Sequence, residues 1–187
     1  MTKIKPNKKK VVLFFPDFGV EQDVWMPFPY LYLAPFLEKE GYEVKIIDSR
    51  VDLDWRKLLE KELKDSFALG VTSMSGPDLK PAMEASEIAR GMNNKISIIW
   101  GGHHASALPD EVFNENLADY VFVGPAEFTF PKVLNCIYNN EDIPNNIKGI
   151  LYKHNGKVVG SRIPNTAVFD YDLTPAYHLI DVEKYRS

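Results

Sequence analysis

Phe67-Ala68-Leu69-Gly70-Val71-Thr72-Ser73-Met74-Ser75-Gly76-Pro77-Asp78 decides the fold. A short apolar run, of strand length, stops at small hydroxylated residues. Glycine, proline and an acid then open a segment of helical periodicity over residues 78–92. The same syntax recurs on both sides. Apolar, β-branched runs stand at residues 11–15, 44–47, 96–100 and 120–123, and helical periodicity at 30–40, 54–64, 109–116 and 125–138. Five strand–helix units of about 26 residues each suit right-handed crossovers between parallel strands. The runs lack polar alternation, as strands covered on both faces do. The reading is an α/β protein, three-layered and doubly wound, with a five-stranded parallel sheet. Five units favour the order 2-1-3-4-5 of the flavodoxin-like variant over the longer Rossmann-like order.

Outside this frame the chain changes character. Residues 147–152 and 157–161, joined across Asn155-Gly156, read as a β-hairpin. The proline-punctuated stretch from 163 to 187 has no clear period and reads as a linker. The expected organisation is therefore a basic tail over residues 1–10, a ligand-binding domain over 11–140, a hairpin extension over 141–162, and a linker over 163–187. Gly41 marks the end of the first helix, and proline stands with an acid near the starts at Pro77-Asp78 and Pro125-Ala126-Glu127.

Composition removes several function classes. The 187 residues are 45% hydrophobic, enough for one well-buried domain and an appendage. With 22 basic and 26 acidic residues the net charge is −4, which argues against gripping nucleic acid or anionic lipid. A single cysteine, Cys136, excludes an intrachain disulfide, a multi-cysteine zinc site and a cysteine-ligated iron–sulfur cluster in this chain. No apolar run is long enough for a membrane span and no signal segment opens the chain, so the expected address is the cytoplasm.

Ligands of such sheets sit beyond the carboxyl ends of the strands. The first loop there, residues 16–29, is long against the usual 2–6 or so. It holds Pro16, Asp17, Phe18, Trp25, Met26 and Phe28, which either fold back over the protein or cover a ligand. The third strand ends in Thr72, Ser73, Met74 and Ser75. The fourth ends in Gly101, Gly102, His103, His104, Ala105 and Ser106, and the fifth in Gly124, Pro125, Ala126 and Glu127. Three neighbouring tips built from small residues, opposite one aromatic loop, describe a slot. No dinucleotide or phosphate-loop glycine pattern is present, and carboxylates near the helix starts would repel a polyphosphate. The slot favours a large, mostly uncharged ligand. In extended backbone His103 and His104 point apart, so they share no metal ion and no metal site is expected. The other reading open at this point is a receiver-like or partner-binding module without a cofactor, its slot filled by Trp25 and Phe28.

These residues carry a resemblance. The 29–44 stretch, Thr72-Ser73-Met74-Ser75, Trp100-Gly101-Gly102-His103-His104-Ala105-Ser106-Ala107-Leu108-Pro109-Asp110-Glu111 and Val123-Gly124-Pro125-Ala126-Glu127 together resemble the N-terminal cobalamin-binding domain of cobalamin-dependent radical SAM proteins. The likeness runs over roughly residues 11–187, and Pro125-Ala126 departs from the family's usual Gly-Glu. It implies a corrinoid across the strand ends, with its dimethylbenzimidazole tail beside Thr72–Ser75 and Gly101–His103. Many cobalamin domains place a cobalt-ligating histidine after the first strand. Here no histidine precedes His103, so the resemblance implies a base-off cofactor without histidine on cobalt, and the first loop is where a lower-face neighbour belongs. It also implies a radical SAM domain C-terminal to this chain, with a [4Fe-4S] cluster and S-adenosylmethionine. A methyltransferase is the commonest such parent, and the present chain would catalyse nothing alone.

Overall fold

The computed structural model describes residues 8–19, 24–92, 95–166 and 174–186. In chain order the elements are β1 (Lys10–Phe15), α1 (Phe28–Lys39), β2 (Glu43–Asp48), α2 (Trp55–Leu63), β3 (Ala68–Thr72), α3 (Leu79–Met92) and β4 (Ser97–Gly101). There follow α4 (Gly102–Ala107), α5 (Pro109–Asn114), β5 (Tyr120–Phe122), α6 (Phe130–Asn139), β6 (Ile150–His154) and β7 (Lys157–Ser161). Two 3-10 turns, Tyr177–Leu179 and Val182–Tyr185, close the chain.

One sheet holds all seven strands in the order β2-β1-β3-β4-β5-β6-β7. The first five are parallel and follow the expected order. The hairpin is no separate appendage, because β6 pairs antiparallel with β5. The three-residue β5 would otherwise leave an open edge, and the hairpin covers it. Alternation along β1 shows why both faces are buried. Val11, Leu13 and Phe15 enter one core with α1 and α6, whereas Val12 and Phe14 enter the other with α2, α3 and α5. In the second core, fully buried Trp100 donates its indole N–H to Ser86 Oγ at 2.9 Å.

At the amino ends of the strands a charge cluster ties β1 to α2. Lys10 reaches Glu62 at 2.8 Å and Asp65 at 2.7 Å with its side chain only 6% exposed. Hydrogen bonds from Lys10 and then Lys8 hold the Asp65 carboxyl down to about 2, and the Lys10 bond also lowers Glu62. A carboxyl depressed in the folded state contributes stability above its unfolded pKa, near 4, and loses it as pH falls through the folded value. We expect chemical-denaturation stability to drop between about pH 4 and pH 2, and Lys10→Met to flatten that limb. Ser86→Ala leaves the Trp100 N–H buried without an acceptor, and denaturation should register a loss of about 1–3 kcal/mol.

Candidate functional site

The strand tips and helices bound a cavity of about 510 Å³. It enters between the ends of β3, β4 and β5 and runs down between the sheet and helices α1 and α6. Its floor is apolar: Leu13 and Phe15 from β1, Gly70 from β3, Ile99 from β4, Phe122 from β5, Tyr30 and Leu33 from α1, and Phe130 from α6. Its mouth is lined by Thr72, Met74, Gly101, Gly102, His103, Ser106, Gly124, Pro125, Ala126 and Glu127.

Three observations explain why the space exists. Gly70 interrupts a run of large residues, and a Cβ there would lie 2.8 Å from Leu13 Cδ2. Tyr30, buried at the start of α1, donates its hydroxyl to Phe14 O at 2.9 Å, which fixes the ring as a wall. Burial pushes that phenol well above its usual range, so it stays a donor. Ser106 Oγ accepts from Gly124 N at 3.0 Å and ties the tips of β4 and β5 together.

Of the residues singled out in the sequence, Thr72, Met74, Gly101, Gly102, His103, Gly124, Pro125 and Glu127 converge on the cavity. Phe18, Ser106 and Ala126 line it as well, whereas Pro16, Asp17, Trp25, Met26, Phe28, Ser73, Ser75, His104 and Ala105 do not. Pro16 is buried at the end of β1, and exposed Asp17 accepts from Gly19 N at 2.9 Å. Met26 packs against the α1 core, Ser73 is buried behind the mouth, Ser75 is exposed, and Ala105 belongs to the opposite core. Trp25 is 62% exposed. The slot filled by Trp25 and Phe28, the mark of a cofactor-free module, is not found, since neither residue lines the cavity.

The extended backbone assigned to His103 and His104 is corrected by the structure. Positive φ at Gly102 (+88°) turns the chain straight into α4, so the two rings diverge around a helix. His103 faces the cavity mouth, whereas His104 is buried. Among the described residues no group of three or more His, Cys, Asp or Glu side chains could hold a metal ion. The floor residues went unread in the sequence. Their signal was the period-two pairing of Leu13 and Phe15 on the face where Gly70 leaves a notch.

The first loop is anchored rather than loose over its described part. Arg50, with 7% of its side chain exposed, forks onto Asp48 at 2.9 and 2.6 Å and donates to Trp25 O at 2.9 Å. Its guanidinium stacks 4.3 Å from the centre of the Phe15 ring, behind the cavity wall. Tyr185 donates to Asp48 Oδ2 at 3.0 Å, so the chain's last turn closes on the same pair.

The site suits a largely apolar, mostly uncharged ligand. Its walls are apolar, its mouth is made of glycine and small residues, and Glu127 Oε2 is buried without a hydrogen-bond partner. That oxygen is an acceptor for a ligand N–H or O–H.

The profile of the family described as "B12 binding domain" matches residues 20–134. An uncharacterized methyltransferase of Pyrococcus horikoshii is 27% identical over 168 residues, covering 86% of this chain and 35% of its own length. The radical S-adenosylmethionine methyltransferase TsrM of Kitasatospora setae, solved with cobalamin and a [4Fe-4S] cluster, has the same fold. Its TM-score is 0.69 at 23% identity, covering 90% of this chain and 31% of that one. The cobalamin-dependent radical enzyme OxsB, solved with aqua-cobalamin and S-adenosylmethionine, gives 0.76 at 20% identity, over 96% of this chain and 25% of that one. The chain thus spans about a third of the curated relative it matches.

Gly102 is the tightest point of the site. A Cβ there would lie 2.5 Å from Ser73 O and 2.6 Å from Thr72 Oγ1, at a φ that disfavours side chains. Gly102→Ala should cost at least ~2 kcal/mol in urea denaturation.

Proposed function

The chain belongs to the B12-binding domain family, and from that premise we propose that it carries cobalamin for a radical SAM enzyme, with the cofactor's own base displaced from cobalt and no histidine in its place. The observation that carries this reading is the cavity itself. An apolar shaft between sheet and helices, open at small-residue strand tips, suits a flat aromatic base on a flexible tail, and leaves the corrin ring to lie over the mouth.

Each residue then has a task in binding. Phe15, Tyr30, Phe122 and Phe130 exclude water from the shaft, and Gly70 leaves room for the base. Gly101, Gly102 and Gly124 let the backbone approach the tail, and Glu127 accepts a hydrogen bond from it. Thr72 and His103 stand at the mouth, and Met74 offers an apolar surface there. Exposed Asp17 and Trp25 would meet the corrin rim from the first loop, with buried Pro16 and core-packed Met26 supporting that loop. When bound, cobalamin would supply a cobalt centre able to carry a methyl group.

Support for the absent histidine is in the sequence: all four histidines stand at position 103 or later, outside the first loop. His104 is already held by Ser75, and His178 by Glu38. The chain's share of its relatives' length supports a longer parent, in which residues 163–187 lead from this domain to one holding the [4Fe-4S] cluster and S-adenosylmethionine. Cys136 alone cannot ligate that cluster, and burial pushes its thiol up, away from the thiolate a metal needs. No helix among the described residues is long and apolar enough to cross a membrane, which fits the proposed cytoplasmic setting.

The test is titration of the purified chain with hydroxocobalamin, followed by desalting and reduction to the cob(II)alamin state. We expect corrinoid to be retained at micromolar protein. Its electron paramagnetic resonance should lack the nitrogen superhyperfine splitting that a base or histidine on cobalt produces. Loss of all corrinoid on desalting would reject cobalamin binding, and a nitrogen-split signal would reject the base-off assignment.

A further inference from the structure

We propose that His104 is a positioning residue for the cobalamin site, holding the loop after β3 in a strained shape that sets Met74 at the cavity mouth. His104 itself does not line the cavity. It is buried in α4, 8% exposed, and its Nδ1 lies 3.0 Å from Ser75 Oγ in a hydrogen bond. Ser75 has φ +99°, a conformation that glycine adopts freely and serine does not. The neighbouring Gly76, also at positive φ, completes a tight reversal before α3.

Strain of this kind persists only where surrounding contacts outweigh it. Three contacts converge on these few residues. The His104 amide donates to Ser73 O at 3.1 Å, and the Ser73 amide donates to Gly101 O at 3.2 Å. The Met74 amide donates to the buried carboxylate of Asp78. Gly102, with no side chain, lets α4 close against Ser73. The Ser75–His104 bond is a side-chain link on the strained residue itself, and it comes from α4, at the tip of the neighbouring strand β4. Met74, one residue earlier, is 53% exposed and lines the mouth.

The chemistry is a trade between backbone strain and one hydrogen bond. Without the bond, Ser75 relaxes towards negative φ and carries Met74 away from its place. With glycine at 75 the shape no longer needs the bond. That asymmetry separates a positioning histidine from one that merely fills space.

The inference rests on the cobalamin reading for one readout only, so two are used. In the free protein, hydrogen exchange at the Met74 amide should quicken in His104→Ala and slow again in His104→Ala/Ser75→Gly. With hydroxocobalamin as the probe, His104→Ala should bind about tenfold more weakly, and the double variant should recover most of that loss. Ser75→Ala, at an exposed position that does not endanger folding, should resemble His104→Ala and bind more weakly than Ser75→Gly. Wild-type exchange and affinity in Ser75→Ala, or no recovery in the double variant, would overturn the proposal. If the wild type retains no corrinoid, the cobalamin reading fails, and the exchange data still decide the role of His104.

Discussion

A parallel sheet wound in both directions must part its connections somewhere, and here they part between β1 and β3. The helix after β1 packs on one face and the helix after β3 on the other. Among the described residues no connection crosses the crevice between them, so the space beyond those tips can stay open. Every feature of the site uses that gap. Gly70 deepens it, Tyr30 bolts its wall to Phe14, and the Gly102 turn folds the β4 tip back against β3 without filling it. Larger side chains at any of these points would convert the shaft into ordinary core.

The two ends of the strands divide the work. At the amino ends, Lys10, Glu62 and Asp65 form a satisfied charge cluster, which fixes β1 to α2. At the carboxyl ends there are small residues, a non-glycine at positive φ and a carboxylate oxygen without a partner. Local conflicts of this kind concentrate where a protein binds something. The Asp48–Arg50 pair sits at the border, reaching the first loop through Trp25 O and the last turn through Tyr185.

Much of this was legible in the residues. Strand runs without alternation gave the parallel sheet and its order, and ten of the residues named at the tips line the cavity. The floor was not legible, because Leu13, Phe122 and Phe130 look like any core residue until the helices α1 and α6 are placed. Nor was α4: six residues beginning at two glycines carry too little helical preference, and it is the positive φ of Gly102 that starts the turn. The hairpin was read correctly from Asn155-Gly156, yet its docking on β5 depends on a long-range pairing that local sequence does not encode.

The shaft beneath the strand tips is the central claim, and a truncated corrinoid probes it most directly. Cobinamide keeps the corrin ring but lacks the nucleotide tail. Competition against cobalamin should show cobinamide binding at least about tenfold more weakly, a difference of ~1.4 kcal/mol. Equal affinity for the two would mean that the tail gains nothing from the space between the sheet and helices α1 and α6, and the account would be wrong at its base.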